Sequence, residues 1–121
     1  MKRDKISIAL LTLVFFAWVP AAFAHATLVR SSPADQSIVH AHSLTLVLDY
    51  NSRIDASRCT LTVTGANGQR IPLRMQHTSN PAELKAFAGG LPNGRYTMHW
   101  QVLASDGHIT RGDVAFTVAV K

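Results

Sequence analysis

The sequence predicts an all-β protein, and three observations support this fold class. Apolar and polar residues alternate in several short segments, which is typical of half-buried strands. Clusters of turn-forming residues separate these segments at intervals of roughly ten residues. No long segment beyond the first 24 residues has the apolar period of an amphipathic helix. About seven short strands in about a hundred residues are typical of an immunoglobulin-like Greek-key β-sandwich.

Residues 1–24 have the features of a cleaved secretory signal peptide. Three basic residues precede an apolar run at 6–19, and Ala22 and Ala24 form the small-residue pattern that signal peptidase prefers. An uncleaved membrane anchor is the alternative, but the run is shorter than the ~20 residues that a spanning helix needs. We therefore expect an exported, mature chain of residues 25–121 that forms one domain in an oxidising compartment.

The first half of this domain contains two predicted strands. Residues 27–32 form a short extended segment that ends at a Ser-Pro turn signal. Residues 36–43 are polar apart from an Ile-Val pair, so they are predicted as a loop. Apolar residues recur at every second position over Leu44–Tyr50, which predicts a strand with one buried face. Residues 51–58 are predicted as a connection that includes one helical turn around 54–57.

The second half contains the five remaining strands. Segments 59–64 and 70–75 are separated by a Gly-Ala-Asn-Gly turn, which predicts a β-hairpin. Trp100 lies on the apolar side of the longest alternation, and this position fits a buried tryptophan on a central strand of a sandwich. The other predicted strands are 84–87, 96–102 and 114–120.

Charge and cysteine content narrow the possible functions. Residues 25–121 hold nine of the twelve Lys and Arg residues and six of the seven acidic ones, which gives a net charge of +3. The basic residues do not form a run, so nucleic-acid binding is not expected. The single cysteine, Cys59, excludes an internal disulfide. It shares an apolar face with Leu61 and Val63, which favours a buried, unreactive thiol over a reactive or metal-binding one. We expect a monomer.

Cleavage after residue 24 would make His25 the first residue of the mature chain. Its α-amino nitrogen and its Nδ1 can then close a six-membered chelate ring on a metal ion, and an α-amine with a pKa near about 7.7–8.0 releases its proton to a metal at neutral pH. Asp106 and His108 are two residues apart, so both side chains can point the same way. Three nitrogens and one carboxylate oxygen suit Cu(II). The alternative is that Asp106 and His108 simply belong to an exposed turn.

The other histidines of the mature chain have less specific patterns. His40 and His42 form a His-x-His pair in the predicted loop, where solvated side chains are favoured over a second metal site, and His77 is interpreted in the same way. His99 lies opposite the apolar face of its strand, and the pattern leaves open whether it is exposed or lies near the metal. A partner that orients a ligand imidazole is expected. Three nearby residues are candidates for it: Thr110, Arg111 and Asp113.

Four segments of the mature chain resemble the CopC family of periplasmic copper-resistance proteins, and they follow that family's order. These segments are 25–35, Leu44–Tyr50, 94–108 and 112–118. The resemblance implies a β-sandwich and a Cu(II) site to which His25 contributes its amine and its imidazole, completed by Asp106 and His108. It also implies copper sequestration, resistance or delivery to an inner-membrane CopD-type copper protein, without enzymatic turnover.

Two departures from the family pattern affect the expected copper chemistry. Many members have Phe-Ser-Glu after the second strand, whereas residues 50–52 are Tyr-Asn-Ser and provide no carboxylate near the copper. Some members also have a methionine-rich loop that holds Cu(I). The mature chain has only Met75 and Met98, of which Met98 falls in a core pattern, and Met75 with His77 makes a poor Cu(I) site. We therefore expect a member that binds Cu(II) only.

Two other classes of function remain as alternatives. Lytic polysaccharide monooxygenases combine a similar histidine chelate with a β-sandwich, but this chain is short and its carboxylate would fill a position that oxygen needs. Its three candidate rings for a polysaccharide platform, Tyr50, Tyr96 and Trp100, all lie on apolar faces. A metal-free secreted sandwich used for adhesion or assembly is the second alternative, and it predicts that the histidine and aspartate side chains are dispensable.

Overall fold

The computed structural model describes residues 25–121, which fold as two β-sheets packed face to face. The predicted signal peptide lies outside the described residues. Residues 25–121 contain no apolar helix of the length that a membrane crossing requires. The sheets contain nine strands: β1 (Leu28–Ser32), β2 (Ser37–Val39), β3 (Leu44–Tyr50), β4 (Thr60–Gly65), β5 (Arg70–Ile71), β6 (Arg74–Gln76), β7 (Glu83–Ala88), β8 (Gly94–Leu103) and β9 (Ile109–Val118).

The strand order confirms the predicted immunoglobulin-like sandwich. One sheet has the order β1-β3-β7-β6, and the other has the order β2-β9-β8-β4-β5. Neighbouring strands are antiparallel, except that β2 runs parallel to β9. The first sheet follows the ABED order of immunoglobulin domains, and β9-β8-β4 of the second sheet follows the GFC order. A 3-10 turn at Ala56–Arg58 lies in the connection from β3 to β4, close to the predicted helical turn.

The core lies between the sheets because β3, β8 and the second half of β9 bury every second side chain. Met98 and Trp100 are buried, as the alternation predicts. The Tyr96 hydroxyl donates to the Pro92 carbonyl at 2.6 Å and ties β8 to the preceding turn. Full burial of a leucine-sized or phenylalanine-sized side chain contributes about 1.5–3 kcal/mol to stability. The largest fully buried side chains are Leu46, Leu48, Val63, Leu91, Met98, Val102, Val114, Phe116 and Val118.

The predicted loop at 36–43 is wrong in part, because it contains strand β2. Ser37, Ile38 and Val39 pair with residues 116–118 of β9. A three-residue edge strand is held by main-chain hydrogen bonds, and its central side chain, Ile38, is 61% exposed. The strand therefore has no buried alternation from which the sequence pattern could predict it.

The predicted strand at 70–75 is divided between the two sheets. Its first part, β5, pairs with β4 as the predicted hairpin requires, whereas β6 pairs with β7 in the opposite sheet. Pro72 lies between them and has no N–H group with which to continue a strand ladder. The chain crosses from one sheet to the other at this point, and Leu73 packs against the core.

Cys59 lies just before β4 and packs partly buried against the core. Its Sγ donates to the carbonyl oxygen of Asp55 at 3.0 Å. Burial raises the pKa of the Cys59 thiol above its usual value, so the thiol stays protonated near neutral pH. These features agree with the predicted unreactive thiol, although the side chain is partly rather than fully buried.

Candidate metal centre

The three predicted ligands lie together at one end of the sandwich. His25 precedes β1, whereas Asp106 and His108 lie in the turn from β8 to β9. One ligand atom from each side chain lies within 4.8 Å of the others, and all three residues are exposed. The two imidazole rings meet edge to face, with centroids 4.8 Å apart. Within residues 25–121, no other group of three or more His, Cys, Asp or Glu side chains is close enough to hold one ion.

The turn itself fixes the position of Asp106. The backbone N–H of Gly107 donates to the carbonyl of Ala104, and the N–H of Ala104 donates to the carbonyl of His108, both at 2.9 Å. Gly107 has a φ of 88°, a conformation that glycine adopts without steric cost. Asp106 Oδ1 accepts from the backbone N–H of His108 at 3.0 Å, as an aspartate does when it caps its own turn.

The second carboxylate oxygen of Asp106 contacts the imidazole of His108. The distance from Asp106 Oδ2 to His108 Nδ1 is 3.0 Å. The hydrogen bond from the His108 backbone amide, helped by the contact with its side chain, holds the pKa of Asp106 below its usual value. The carboxylate is therefore ionised at neutral pH, and it orients a ring that can contribute Nε2 to a metal.

Main-chain contacts anchor the segment that follows His25. Ala26 is fully buried, and its carbonyl oxygen accepts from the hydroxyl of Thr110 at 2.7 Å. The N–H of Thr27 donates to Asn51 Oδ1 at 2.8 Å, and the N–H of Asn51 donates to the Thr27 carbonyl at 3.0 Å. Thr110 was predicted as a candidate partner of a ligand imidazole, whereas its observed bond is to the main-chain carbonyl of Ala26. Asn51 was not predicted, because nothing local to it indicates a partner 24 residues earlier.

The two other candidates for an orienting partner have different roles. Arg111 Nε donates to Gln101 Oε1 at 2.7 Å, and Asp113 Oδ1 accepts from His99 Nδ1 at 2.7 Å. His99 also contacts the hydroxyl of Thr64 through Nε2 at 3.1 Å. This arrangement resolves the open question about His99, which lies partly exposed in the middle of β8, away from the turn that holds the predicted ligands.

The remaining histidines lie outside the three-residue group. His40 Nδ1 donates to the Ala119 carbonyl at 3.0 Å, and His42 Nδ1 donates to the Leu91 carbonyl at 2.7 Å. Both residues are exposed, as the sequence pattern predicts, and their rings also hold backbone segments. His77 and the half-exposed Met75 line a cavity of about 590 Å³ between the edges of the two sheets.

The aromatic side chains are part of the core rather than of an exposed platform. Tyr50, Tyr96 and Trp100 are all buried, as the apolar alternation predicts. The rings of Tyr50 and Trp100 meet edge to face at 5.3 Å. Gly112 makes room for the indole, because a Cβ atom at this position would overlap the six-membered ring of Trp100.

The fold and this group of side chains define a small immunoglobulin-like β-sandwich with one candidate metal centre at an end of the sandwich. Comparison with known families makes the class specific: residues 28–119 match the CopC domain family. The chain therefore belongs to the CopC domain family. Asp106 and His108 lie within the matched region, and His25 lies three residues before it.

Individual relatives agree with this family. The chain is 32% identical to copper resistance protein C of Xanthomonas campestris pv. juglandis over 105 residues, covering 80% of this chain and 82% of that protein. It is 27% identical to the copper transport protein CutJ of Bacillus subtilis over 125 residues, covering 98% of this chain but 22% of that protein. The crystal structure of CopC from Methylosinus trichosporium OB3b superposes with a TM-score of 0.74 at 28% identity, covering 79% of this chain and 95% of that one.

Proposed function

We propose that the protein binds one Cu(II) ion in the periplasm through His25, Asp106 and His108. In this proposal it sequesters the ion, supports copper resistance or delivers the ion to an inner-membrane CopD-type copper protein. It acts as a monomer by coordination alone, without turnover. The observation that carries the proposal is the approach of ligand atoms from all three residues to within 4.8 Å of one another.

The donor set supports Cu(II) over softer or harder ions. Signal-peptide cleavage after residue 24 would add the α-amine of His25 to two imidazoles and one carboxylate. Nitrogen-rich sets with one oxygen suit Cu(II), which also binds most strongly among the divalent first-row metals. The soft donors Cys59 and Met75, which would favour Cu(I), are absent from the three-residue group.

Asp106 has two possible contributions within this proposal. Its carboxylate can bind the metal directly, as the sequence predicts. The contact from Oδ2 to His108 Nδ1 also supports an orienting role, in which the carboxylate fixes the imidazole and Nε2 faces the metal. Both contributions need an ionised carboxylate, and the lowered pKa of Asp106 provides it.

The relatives support copper as the cargo and suggest the kind of partner. One relative is named a copper resistance protein, and a sequence similar to this chain forms part of a much longer copper transport protein. Delivery of the ion requires a protein that receives it. We propose that the recipient is an inner-membrane copper protein of the CopD type.

The two alternatives have less support from the described residues. A polysaccharide monooxygenase would need exposed rings for its substrate, yet Tyr50, Tyr96 and Trp100 are each at most 8% exposed. An adhesion or assembly module would not need three ligating side chains to converge at one end. Both alternatives are tested together with the proposal, because each predicts a different result for copper-loaded protein.

The test compares two exported proteins. The full chain is expressed with its own leader, and a second chain carries one glycine inserted between Ala24 and His25, with mass spectrometry defining each mature amino terminus. Cu(II) is then titrated into both proteins, and their electron paramagnetic resonance spectra are recorded. We expect tight one-to-one binding and a nitrogen-rich tetragonal spectrum only when His25 is the first residue.

Other outcomes of this experiment count against the proposal. Equal binding by both proteins would remove the amine from the ligand set. Absence of specific binding in both would leave only the sandwich and favour the metal-free alternative. Oxidation of a polysaccharide by the copper-loaded protein with peroxide would establish the monooxygenase. Replacement of His108 by alanine should abolish tight binding, whereas the matched replacement His99→Ala should leave it intact.

A further inference from the structure

We infer that Thr110 and Asn51 are positioning residues that hold the amino-terminal segment in place, so that His25 faces His108 before a metal ion arrives. This inference rests on the proposed function, because it assigns a role to residues that do not touch the metal. It predicts that the segment is already ordered in the metal-free protein and that this order strengthens Cu(II) binding.

The hydrogen bond of Thr110 closes a very short connection between two proposed ligands. Its hydroxyl donates to the carbonyl of Ala26 at 2.7 Å, and Ala26 is covalently joined to His25. Thr110 is itself only two residues after His108 on the same chain. One hydrogen bond and two short stretches of backbone therefore set the separation between the two histidines.

Asn51 holds the next residue from the opposite sheet. It lies directly after β3, and its side chain and backbone make two hydrogen bonds with Thr27, at 2.8 and 3.0 Å. β1 pairs with β3 only from Leu28 onward, so these bonds extend the ordered backbone toward His25. Between the two anchors, the side chain of Ala26 is fully buried. The segment is thus attached to both sheets within two residues of the proposed chelate.

Such attachment opposes the usual behaviour of a chain terminus. The first residues of a domain are poorly ordered unless contacts hold them, and a ligand on a disordered terminus must be ordered when the metal binds. Prior ordering removes part of this entropic cost and strengthens binding without adding a ligand. We therefore expect the anchors to change the Cu(II) dissociation constant while the ligand set stays the same.

The decisive variant is Thr110→Val, which removes the hydroxyl and keeps the shape of the side chain. Loss of one hydrogen bond should weaken Cu(II) binding by about three- to tenfold. The electron paramagnetic resonance spectrum of the copper-saturated protein should stay the same, because the ligands are unchanged. Without metal, nuclear spin relaxation should show increased motion of the backbone amides of Ala26 and Thr27. Thr110→Ser retains the hydroxyl and should restore most of the affinity.

Two further variants provide controls. Thr117→Val removes a hydroxyl from the same strand, seven residues further along, and should leave affinity and amide motion unchanged. Asn51→Ala should weaken binding in the same sense as Thr110→Val, although it acts from the other sheet. A similar loss in Thr110→Val and Thr117→Val would indicate a general effect on β9 and would overturn the inference.

The outcomes separate this inference from the proposed function. If wild-type protein binds Cu(II) only with a free amine at His25, yet Thr110→Val and Asn51→Ala bind equally well, the positioning role fails and the proposed site remains. If wild-type protein does not bind, or binds equally with an extra amino-terminal residue, the proposed site fails and the positioning role fails with it. A changed spectrum in Thr110→Val would show that the ligand set depends on the anchor, which contradicts the inference.

Discussion

Asp106 contacts His108 twice, once through each carboxylate oxygen. Oδ1 accepts from the backbone N–H at 3.0 Å, and Oδ2 lies 3.0 Å from Nδ1 of the ring. Two contacts to one residue fix both the turn and the direction of the imidazole. In the proposed site, the carboxylate would therefore orient His108 for Cu(II) binding whether or not it is itself a ligand.

Replacement of Asp106 by asparagine should weaken Cu(II) binding by about ten- to a hundredfold, the usual effect of removing a partner that orients a metal ligand. The amide can still accept from the backbone N–H, so the turn should persist. It provides no negative charge for the metal or for Nδ1 of His108. Affinity is measured by competition with a chelator of known strength.

The control for this prediction is Asp113→Asn, which changes the same kind of histidine–carboxylate pair elsewhere on the sandwich. Asp113 contacts His99 at 2.7 Å and lies outside the proposed site. We expect its replacement to leave copper affinity unchanged. Equal losses in the two variants would indicate an effect of net charge rather than of the site.

Copper binding should weaken as the pH falls from 8 to 6. The proposed amine and imidazole ligands bind metal only without their protons, so protons compete with Cu(II) at low pH. The backbone and side chain of His108 hold the pKa of Asp106 below its usual value, so this carboxylate stays ionised over the whole range. The pH dependence should therefore come from the nitrogen ligands alone.

Dissociation constants measured at pH 6, 7 and 8 test this prediction. In the protein with an added amino-terminal residue, the proposed chelate cannot form. The change of the dissociation constant with pH near the usual α-amine pKa of about 7.7–8.0 should therefore be lost. A dissociation constant that is independent of pH in the wild-type protein would contradict the proposed ligand set.

The sequence pattern predicts the strands that have one buried face. The alternation over Leu44–Tyr50 coincides with β3, because its side chains must alternate between core and surface. The same principle does not extend to β2, whose pairing with β9 depends on main-chain bonds between distant segments. The crossing at Pro72 was missed for a related reason: alternation indicates a strand but does not specify its sheet.

The candidate site could be predicted only in part, because some of its contacts join segments that are far apart in the sequence. Asp106 and His108 are close in sequence, so the turn alone brings their side chains together. The approach of His25 depends on contacts that span most of the domain, of which the bond from Thr110 to Ala26 joins residues 84 positions apart. The expected cleavage after residue 24 and the family resemblance both indicated His25 as a candidate ligand, but neither gave any indication of Asn51.

Gly112→Ala should destabilise the fold by about 1–3 kcal/mol, the usual cost of adding a group to a filled core. A Cβ atom at this position would overlap the indole of Trp100, which packs against the ring of Tyr50. Thermal unfolding of the metal-free protein measures the effect. The cost should be smaller when Trp100 is already phenylalanine, because the smaller ring leaves more space. Identical costs in both backgrounds would show that the indole is not the obstacle.

The metal-free protein should fold without copper, and copper should stabilise it further. The buried core consists of apolar side chains between the sheets, and none of the three proposed ligands belongs to it. A ligand that binds only the folded state adds about 2.7 kcal/mol of stability when its free concentration is a hundred times its dissociation constant. Thermal unfolding with a chelator, and then with free Cu(II) held at that ratio, should show one cooperative transition that moves to higher temperature.

The His108→Ala variant should unfold like the wild-type protein in chelator and gain little from copper. A wild-type protein that lacks a cooperative transition in chelator would show that the metal contributes to folding, and the apolar core would then be insufficient on its own.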